Sequence, residues 1–279
     1  MIAQGSIVCL SLQSRPQALA LVRGMLSGVA EFLSIDPELL DDLKTAVSEA
    51  CNNVVLHAYG GAPGPMAVRL SIADDLIRVI VEDRGVGLPT TSDIADLPQG
   101  IGLSVIRALT ADAALAARDG GGTELRMDFV GRRDGRALFR TPPAAAPDTD
   151  LASASDGDVV VSLSPVTLLA GVLGRLARTL AAAAHFSLDR FSDVYLVTDT
   201  LAAHAASAAA GDRIAARLRA DNRRLEVAVG PFRAGTGSRL EVRAAEHAAS
   251  PLVLLSDEVS VVPDGDAERL HVIVIDHRR

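Results

Sequence analysis

Residues 47–59 read Val47-Ser48-Glu49-Ala50-Cys51-Asn52-Asn53-Val54-Val55-Leu56-His57-Ala58-Tyr59, and this stretch decides the fold. Taken with Leu39, Leu40 and Leu43 just upstream, its apolar residues recur at helical spacing. They predict a helix that buries Leu39, Leu40, Leu43, Val47, Ala50 and Val54. Asp36-Pro37 opens it, with Asp36 as N-cap and Pro37 at the first helical position, and Gly60-Gly61 ends it. Glu49 and Asn53 stand at i and i+4, so both leave the same polar face. A carboxylate beside an amide oxygen suits a hard cation that also touches phosphates, because Mg2+ takes few protein ligands and keeps waters. The same pair is equally well read as a solvated stripe on an amphipathic helix. The flanking segments have to decide.

Working outward, residues 6–12 form a strand. Ser14-Arg15-Pro16 then opens a helix whose apolar face is Leu19, Val22, Met25, Leu26, Val29 and Phe32. Beyond Gly61 the period drops to two. Ala67 to Ala73 puts Val68, Leu70 and Ile72 on one face, Asp74-Asp75 makes a turn, and Ile77 to Val81 is the partner strand. A Gly/Pro/Asp-rich loop runs from Gly85 to Gly100. A helix over 102–111 follows, then strands at Ala113–Ala117 and Thr123–Val130. This order predicts an α+β fold, a two-layer α/β sandwich with helices on one face of a mixed sheet.

Three segments besides the helix carry chemistry. In Glu82-Asp83-Arg84-Gly85-Val86-Gly87 an Asp ends a strand before Gly-x-Gly. The glycines let backbone approach a flat ring, and the carboxylate can accept from an exocyclic amine; alone, the motif is a common turn. Gln99-Gly100-Ile101-Gly102-Leu103-Ser104 leads into a helix whose N-terminal amides and dipole favour an anion. It is neither G-x-G-x-x-G nor a Walker loop with its Lys, and alone it is an ordinary loop-to-helix turn. In Gly121-Gly122-Thr123-Glu124-Leu125, Thr123 can offer a hydroxyl where a hairpin turn enters the last strand.

With all four segments in this order, residues 1–133 resemble the GHKL (Bergerat-fold) ATPases. Glu-Ala-x-x-Asn-x-x-x-His-Ala-Tyr resembles the anti-sigma-factor serine-protein kinase branch of that superfamily. The resemblance implies a Bergerat ATP-binding fold with ATP and Mg2+ as cofactors. Asn53 would hold Mg2+, and Glu49 would act as general base on a partner's serine. Asp83 would read the adenine amine, with Gly85 and Gly87 shaping the adenine site. Gly100 and Gly102 would carry the phosphate-proximal turn, and Thr123 would close the adenine end. The function implied is an anti-sigma factor that sequesters a sigma factor and phosphorylates an anti-anti-sigma (STAS-domain) protein on Ser or Thr. The alternative is a non-catalytic ATP-sensing module, because Leu97-Pro98-Gln99 stand where some members carry an Arg. A general ATPase of the gyrase type ranks lower, as no transducer segment follows.

At 279 residues and 49% apolar, the chain can bury the cores of one large or two ordinary domains. A net charge of −8 and the lack of a Lys/Arg run exclude direct nucleic-acid binding. The two cysteines, Cys9 and Cys51, sit in apolar segments and are expected as thiols rather than a disulfide framework. There is no basic n-region, and no uninterrupted apolar run reaches the ~18 residues of a membrane span, so no membrane is expected and a cytoplasmic location is.

Residues 138–157, rich in Pro, Ala, Ser and Asp, read as a linker between a domain at 1–137 and another at 158–279. After it the pattern returns. Val159–Leu163 is a strand and Thr167–Leu180 a helix. Phe186-Ser187-Leu188-Asp189 echoes Leu33-Ser34-Ile35-Asp36, and Ala220-Asp221-Asn222 echoes Ala73-Asp74-Asp75. Leu252–Val262 and Leu270–Ile275 are expected as the closing hairpin. The chain thus reads as a tandem duplication. Alignment sets Thr200 opposite Glu49, His204 opposite Asn53 and Pro231 opposite Asp83, so the second copy is expected to lack the nucleotide motifs. Its expected role is a built-in partner, making the chain an intramolecular pseudo-dimer or a homodimer.

Overall fold

Hydrophobic periodicity lays down a similar succession of strands and helices twice. The computed structural model describes residues 6–73, 75–87, 101–130, 157–237 and 250–277. The chain divides into two compact units, Met1–Asp156 and Gly157–Arg279. Of the linker segment, residues 138–156 lie outside the described residues.

The first unit runs β1 (Ser6–Gln13), α1 (Ala18–Leu33), α2 (Pro37–Asn53), a π-helical turn (Val54–Ala58), β2 (Pro65–Ala73), β3 (Leu76–Asp83), α3 (Ile101–Leu109), β4 (Asp112–Ala117) and β5 (Thr123–Val130). Its strands lie in the order β4-β5-β3-β2-β1. Each neighbouring pair is antiparallel, so the sheet is not the mixed one expected. The reason is connectivity. Two helices in succession return the chain from β1 to the end where an antiparallel β2 must start. The crossover through α3 leaves β4 one strand removed from β3, with β5 between them.

Asp36 caps α2 as expected: its carboxylate accepts from the N–H groups of Glu38 (2.9 Å) and Leu39 (3.3 Å), and Pro37 begins the helix. Leu43, Val47, Ala50 and Val54 are buried against a sheet face built from Val68, Leu70, Ile72, Val79, Val81, Leu125, Met127 and Phe129. On α1 the buried stripe is Leu21, Val22, Met25, Leu26, Val29 and Leu33. Phe32, expected on that stripe, is 44% exposed, because Leu33 takes the next inward position and turns Phe32 to the side.

The second unit runs β6 (Asp158–Ser164), a 3-10 turn (Val166–Leu168), α4 (Leu169–Ala183), α5 (Leu188–Ala208), β7 (Ile214–Asp221), β8 (Arg224–Arg233), α6 (Pro251–Leu255), β9 (Glu258–Asp264) and β10 (Ala267–Ile275). Its order is β6-β7-β8-β10-β9, again antiparallel throughout. Strand for strand, this is the adjacency of the first unit. The stretch expected as one strand from Leu252 to Val262 begins instead as α6. Ser250 Oγ accepts the Leu252 N–H at 3.3 Å and Pro251 occupies the first turn, which starts a helix despite the apolar run. α6 takes the place in sequence that α3 has in the first unit.

Among the described residues one stretch, Val166–Ala183, is long and apolar enough by composition to cross a membrane. It carries Arg175 and Arg178, and its Leu169, Val172, Leu173, Leu176, Ala177 and Ala181 lie in the core of the second unit. It is the core helix of that unit. Cys9 and Cys51 are both buried and form no disulfide.

Replacing Asp36 with Ala should cost about 1 kcal/mol of stability, read as a lower urea midpoint for the transition of the first unit. An unchanged midpoint would show that the cap contributes nothing.

Candidate functional site

α2 delivers Glu49 and Asn53 on its last regular turn, and both side chains are half-buried. They meet α3. A Cβ built on Gly102 would lie 2.9 Å from Glu49 Oε2, and 3.6 and 3.7 Å from Asn53 Oδ1 and Nδ2. A side chain at 102 would have to displace the tip of Glu49, so the glycine leaves the first turn of α3 open to both residues. The amide oxygen of Asn53 and the carboxylate of Glu49 therefore face the N-terminal end of a helix. Such a place suits phosphates and a hard cation: Asn53 can ligate a metal, and Glu49 can take a proton. Gly100, with Leu97-Pro98-Gln99, lies outside the described residues.

At the end of β3 the buried Asp83 has both oxygens engaged. Oδ1 accepts the Gly85 N–H at 2.7 Å, and Oδ2 accepts the hydroxyl of Thr123, the first residue of β5. β3 and β5 are hydrogen-bonded neighbours, which is what sets these two residues side by side. The glycines here are required by contact. A Cβ on Gly85 would fall 2.0 Å from Ala58 O, and one on Gly122 (φ +91°) would fall 2.1 Å from Asp83 O. Gly87 has φ +75° and packs over Gly122, whose backbone lies 3.6–3.7 Å from where its Cβ would be.

The two ends belong to one seam. After Asn53 the helix widens into the π turn Val54–Ala58, a feature common at functional sites. The last residue of that turn, Ala58, accepts the Val86 N–H at 2.9 Å. The loop after β3 is thus hydrogen-bonded to the continuation of the helix that carries Glu49 and Asn53. Gly122 was not singled out by the sequence reading; its signal is the triple glycine 120–122 before Thr123. Cys51, on the opposite side of α2, is pushed up to about 12 by burial and stays a thiol.

In the second unit, counting equally from the turns Ala73↔Leu76 and Asp221↔Arg224 brings Pro231 to the place of Asp83. Counting from the helix starts Pro37 and Leu188 brings Thr200 and His204 to the places of Glu49 and Asn53. Gly235 falls at the place of Gly87 and shares its φ of +75°. The surroundings differ. Phe232 is fully buried, and the His204 ring stands against it with centroids 5.2 Å apart. A carboxylate from the neighbouring strand, Glu268, fills the loop. It accepts the Gly235 N–H at 3.0 Å, the Thr236 hydroxyl at 2.8 Å and the Gly237 N–H. Glu268 lies on the inward side of β10 with Leu270, Val272 and Val274.

Burial alone would raise Glu268, but the hydrogen bonds from Gly237, Thr236 and Gly235 outweigh it and hold the carboxyl below its usual range. Burial lowers His204, against an opposing pull from the Glu268 charge.

Thr123→Val should destabilise the first unit by about 1–3 kcal/mol in chemical unfolding, since the buried Asp83 loses a donor at nearly constant volume; no change would mean the Thr123 hydroxyl is dispensable. In the second unit, a depressed His adds stability above its ordinary pKa of ~6.5 and loses it as pH falls below that. A depressed Glu adds stability above ~4.3 and loses it as pH falls through its lowered value. Melting followed from neutral pH downward should therefore show an upper loss from His204 and a lower one that Glu268 shares with Asp257, whose carboxyl is held low, against the cost of burial, by the Ile275 N–H, His277 and Arg190. His204→Asn should remove the first and leave the second; an unaltered upper limb would refute the assignment.

Residues 12–129 match the model of the histidine kinase-like ATPase domain. The serine-protein kinase RsbW of Bacillus pumilus is 32% identical over 130 residues, spanning 41% of this chain and 80% of that protein. Its namesake from Bacillus cereus strain Q1 is 27% identical over 44% of this chain and 84% of the other. That from Bacillus licheniformis is 37% identical over 32% of this chain, and the match spans about half of the relative's length, 54%. The chain belongs to the RsbW family of serine-protein kinases, with a histidine kinase-like ATPase domain in its first unit.

Proposed function

We propose that the first unit binds ATP with Mg2+ and phosphorylates a serine or threonine of an anti-anti-sigma (STAS-domain) protein, within a partner-switching system in which the chain also sequesters a sigma factor. The observation that carries this reading is the seat of Gly102, which sets Glu49 and Asn53 together at the start of α3. Asn53 contributes an amide oxygen to the metal, and Mg2+ supplies charge neutralisation on the phosphates. The amides at the start of α3 face the phosphates. At the far end of the seam, Asp83 accepts from the adenine amine beside Thr123, and Gly85 and Gly87 keep the wall flat.

Glu49 takes the proton of the incoming hydroxyl as that oxygen bonds to the terminal phosphorus. The bond from that phosphorus to the bridging oxygen breaks, and ADP leaves with the electron pair.

The second unit is a degenerate copy of the same fold without a nucleotide site. Its matching strand order supports this, as do Pro231 at the place of Asp83 and the Glu268 carboxylate already on the loop amides.

With labelled ATP, Mg2+ and a STAS-domain partner, label should move to the partner's serine or threonine. Glu49→Ala should cut transfer by about 10²- to 10⁴-fold while ATP binding persists. Undiminished transfer in that variant would remove Glu49 as the base. ATP binding without transfer to any partner would make the chain a nucleotide sensor. Photolabelling with 8-azido-ATP should mark peptides of the first unit alone; labelled peptides from 157–279 would overturn the degenerate reading.

A further inference from the structure

Tyr59 closes the His-Ala-Tyr signature, and nothing in the phosphoryl-transfer reading uses it. Its phenol is placed with some care. The hydroxyl accepts the Arg84 N–H at 2.7 Å and donates to the Pro65 carbonyl at 2.5 Å. Its ring lies against Gly64, where a Cβ would come within 2.3 Å of the ring carbons. Gly64 is itself held by Ser14: the Gly64 N–H donates to Ser14 Oγ at 3.0 Å, and the Ser14 N–H donates to Gly64 O at 2.8 Å. Burial raises the Tyr59 pKa above its ordinary value, so the phenol keeps the proton it donates at neutral pH.

These contacts meet at one spot. Arg84 N–H is bound by Tyr59 and Val86 N–H by Ala58, so both neighbours of Gly85 are anchored to the end of the α2 segment. Asp83 directly precedes this anchored stretch. We infer that Tyr59 is a positioning residue for base selection: it fixes the Asp83 loop against the helix bearing Asn53, so that the carboxylate meets a purine carrying a 6-amino group. The inference rests on the nucleotide reading above and deepens it. Tyr59 touches no reacting atom in this account. Its effect is confined to where Asp83 points.

The test compares ATP with ITP, which has a keto oxygen in place of the amine, by calorimetry in the presence of Mg2+. The wild-type chain should favour ATP, because ITP presents a keto acceptor to the Asp83 carboxylate where ATP presents the 6-amino donor. Tyr59→Phe keeps the ring on Gly64 and removes both hydroxyl bonds. It should lower ATP affinity by about tenfold or more and leave ITP affinity nearly unchanged, so that the ratio collapses. A merely structural role would weaken both nucleotides alike, and an ATP:ITP ratio equal to the wild type would overturn the inference. If Tyr59→Phe does not fold, Ser14→Ala provides the second variant. It loosens the Gly64 platform while leaving the phenol, and should lower the same ratio by a smaller factor; an unchanged ratio there counts against the inference. Asp83→Asn separates the two levels. If it keeps the wild-type preference, the reading of Asp83 fails; if it loses the preference while Tyr59→Phe retains it, only the role of Tyr59 fails.

Discussion

The site in the first unit depends on one backbone-to-backbone approach, that of the loop after β3 onto the end of the α2 segment. Gly85 sits where any Cβ would be driven into the Ala58 carbonyl, and Gly122 presses from the other side where a Cβ would strike the Asp83 carbonyl. Pinched between them, the Asp83 carboxylate has its direction set by the Gly85 amide and the Thr123 hydroxyl. The same approach brings the polar end of α2 into line with the end of β3. Without it, Glu49 and Asn53 would be two polar residues on a helix and Asp83 the last residue of a strand.

The two units share a strand order but hold opposite polar arrangements. In the first, the carboxylate ends β3 and the hydroxyl begins β5. In the second, the carboxylate is on β10 and the hydroxyl in the glycine loop. The exchange changes what the loop can accept. Amides already bonded to Glu268 have no donor left for an anion, and Pro231 has no acceptor side chain for an amine. The fold tolerates this because its stability lies in the alternating apolar faces, such as Leu225, Val227 and Val229 of β8, which are as buried as Ile77, Val79 and Val81 of β3.

Much of this was legible in the sequence wherever the signal is local. The cap at Asp36-Pro37, the 67–83 hairpin and the Leu43, Val47, Ala50 and Val54 part of the α2 stripe follow from periodicity and turn chemistry alone, as does the register that sets Pro231 against Asp83; Leu39 and Leu40, expected on that stripe, are only half-buried in its first turn. What escaped depends on contacts distant in sequence. Strand direction follows from how helix pairs return the chain, so the antiparallel sheet was not readable from spacing. Phe32 lost its inward place to Leu33, a choice made by packing. Pro251–Leu255 looked like a strand because its residues are apolar; the Ser250-Pro251 start was the available sign of a helix. Glu268 did leave a trace, as a carboxylate in the inward phase of an apolar strand, but its partners at 235–237 belong to another strand's loop. Gly122 shows locally only as part of the triple glycine 120–122, without its partner Asp83, and the part played by Tyr59 is set by Arg84, far along the chain, where no local pattern reveals it.

The most direct measure of the central claim, a single adenine-nucleotide seam running from Asn53 to Asp83, is calorimetric titration of the full chain with Mg-ATP. The account predicts one nucleotide bound per chain, with the heat lost on Asp83→Asn and kept on Glu268→Gln. No heat with the wild-type chain, or two equivalents bound, would contradict it.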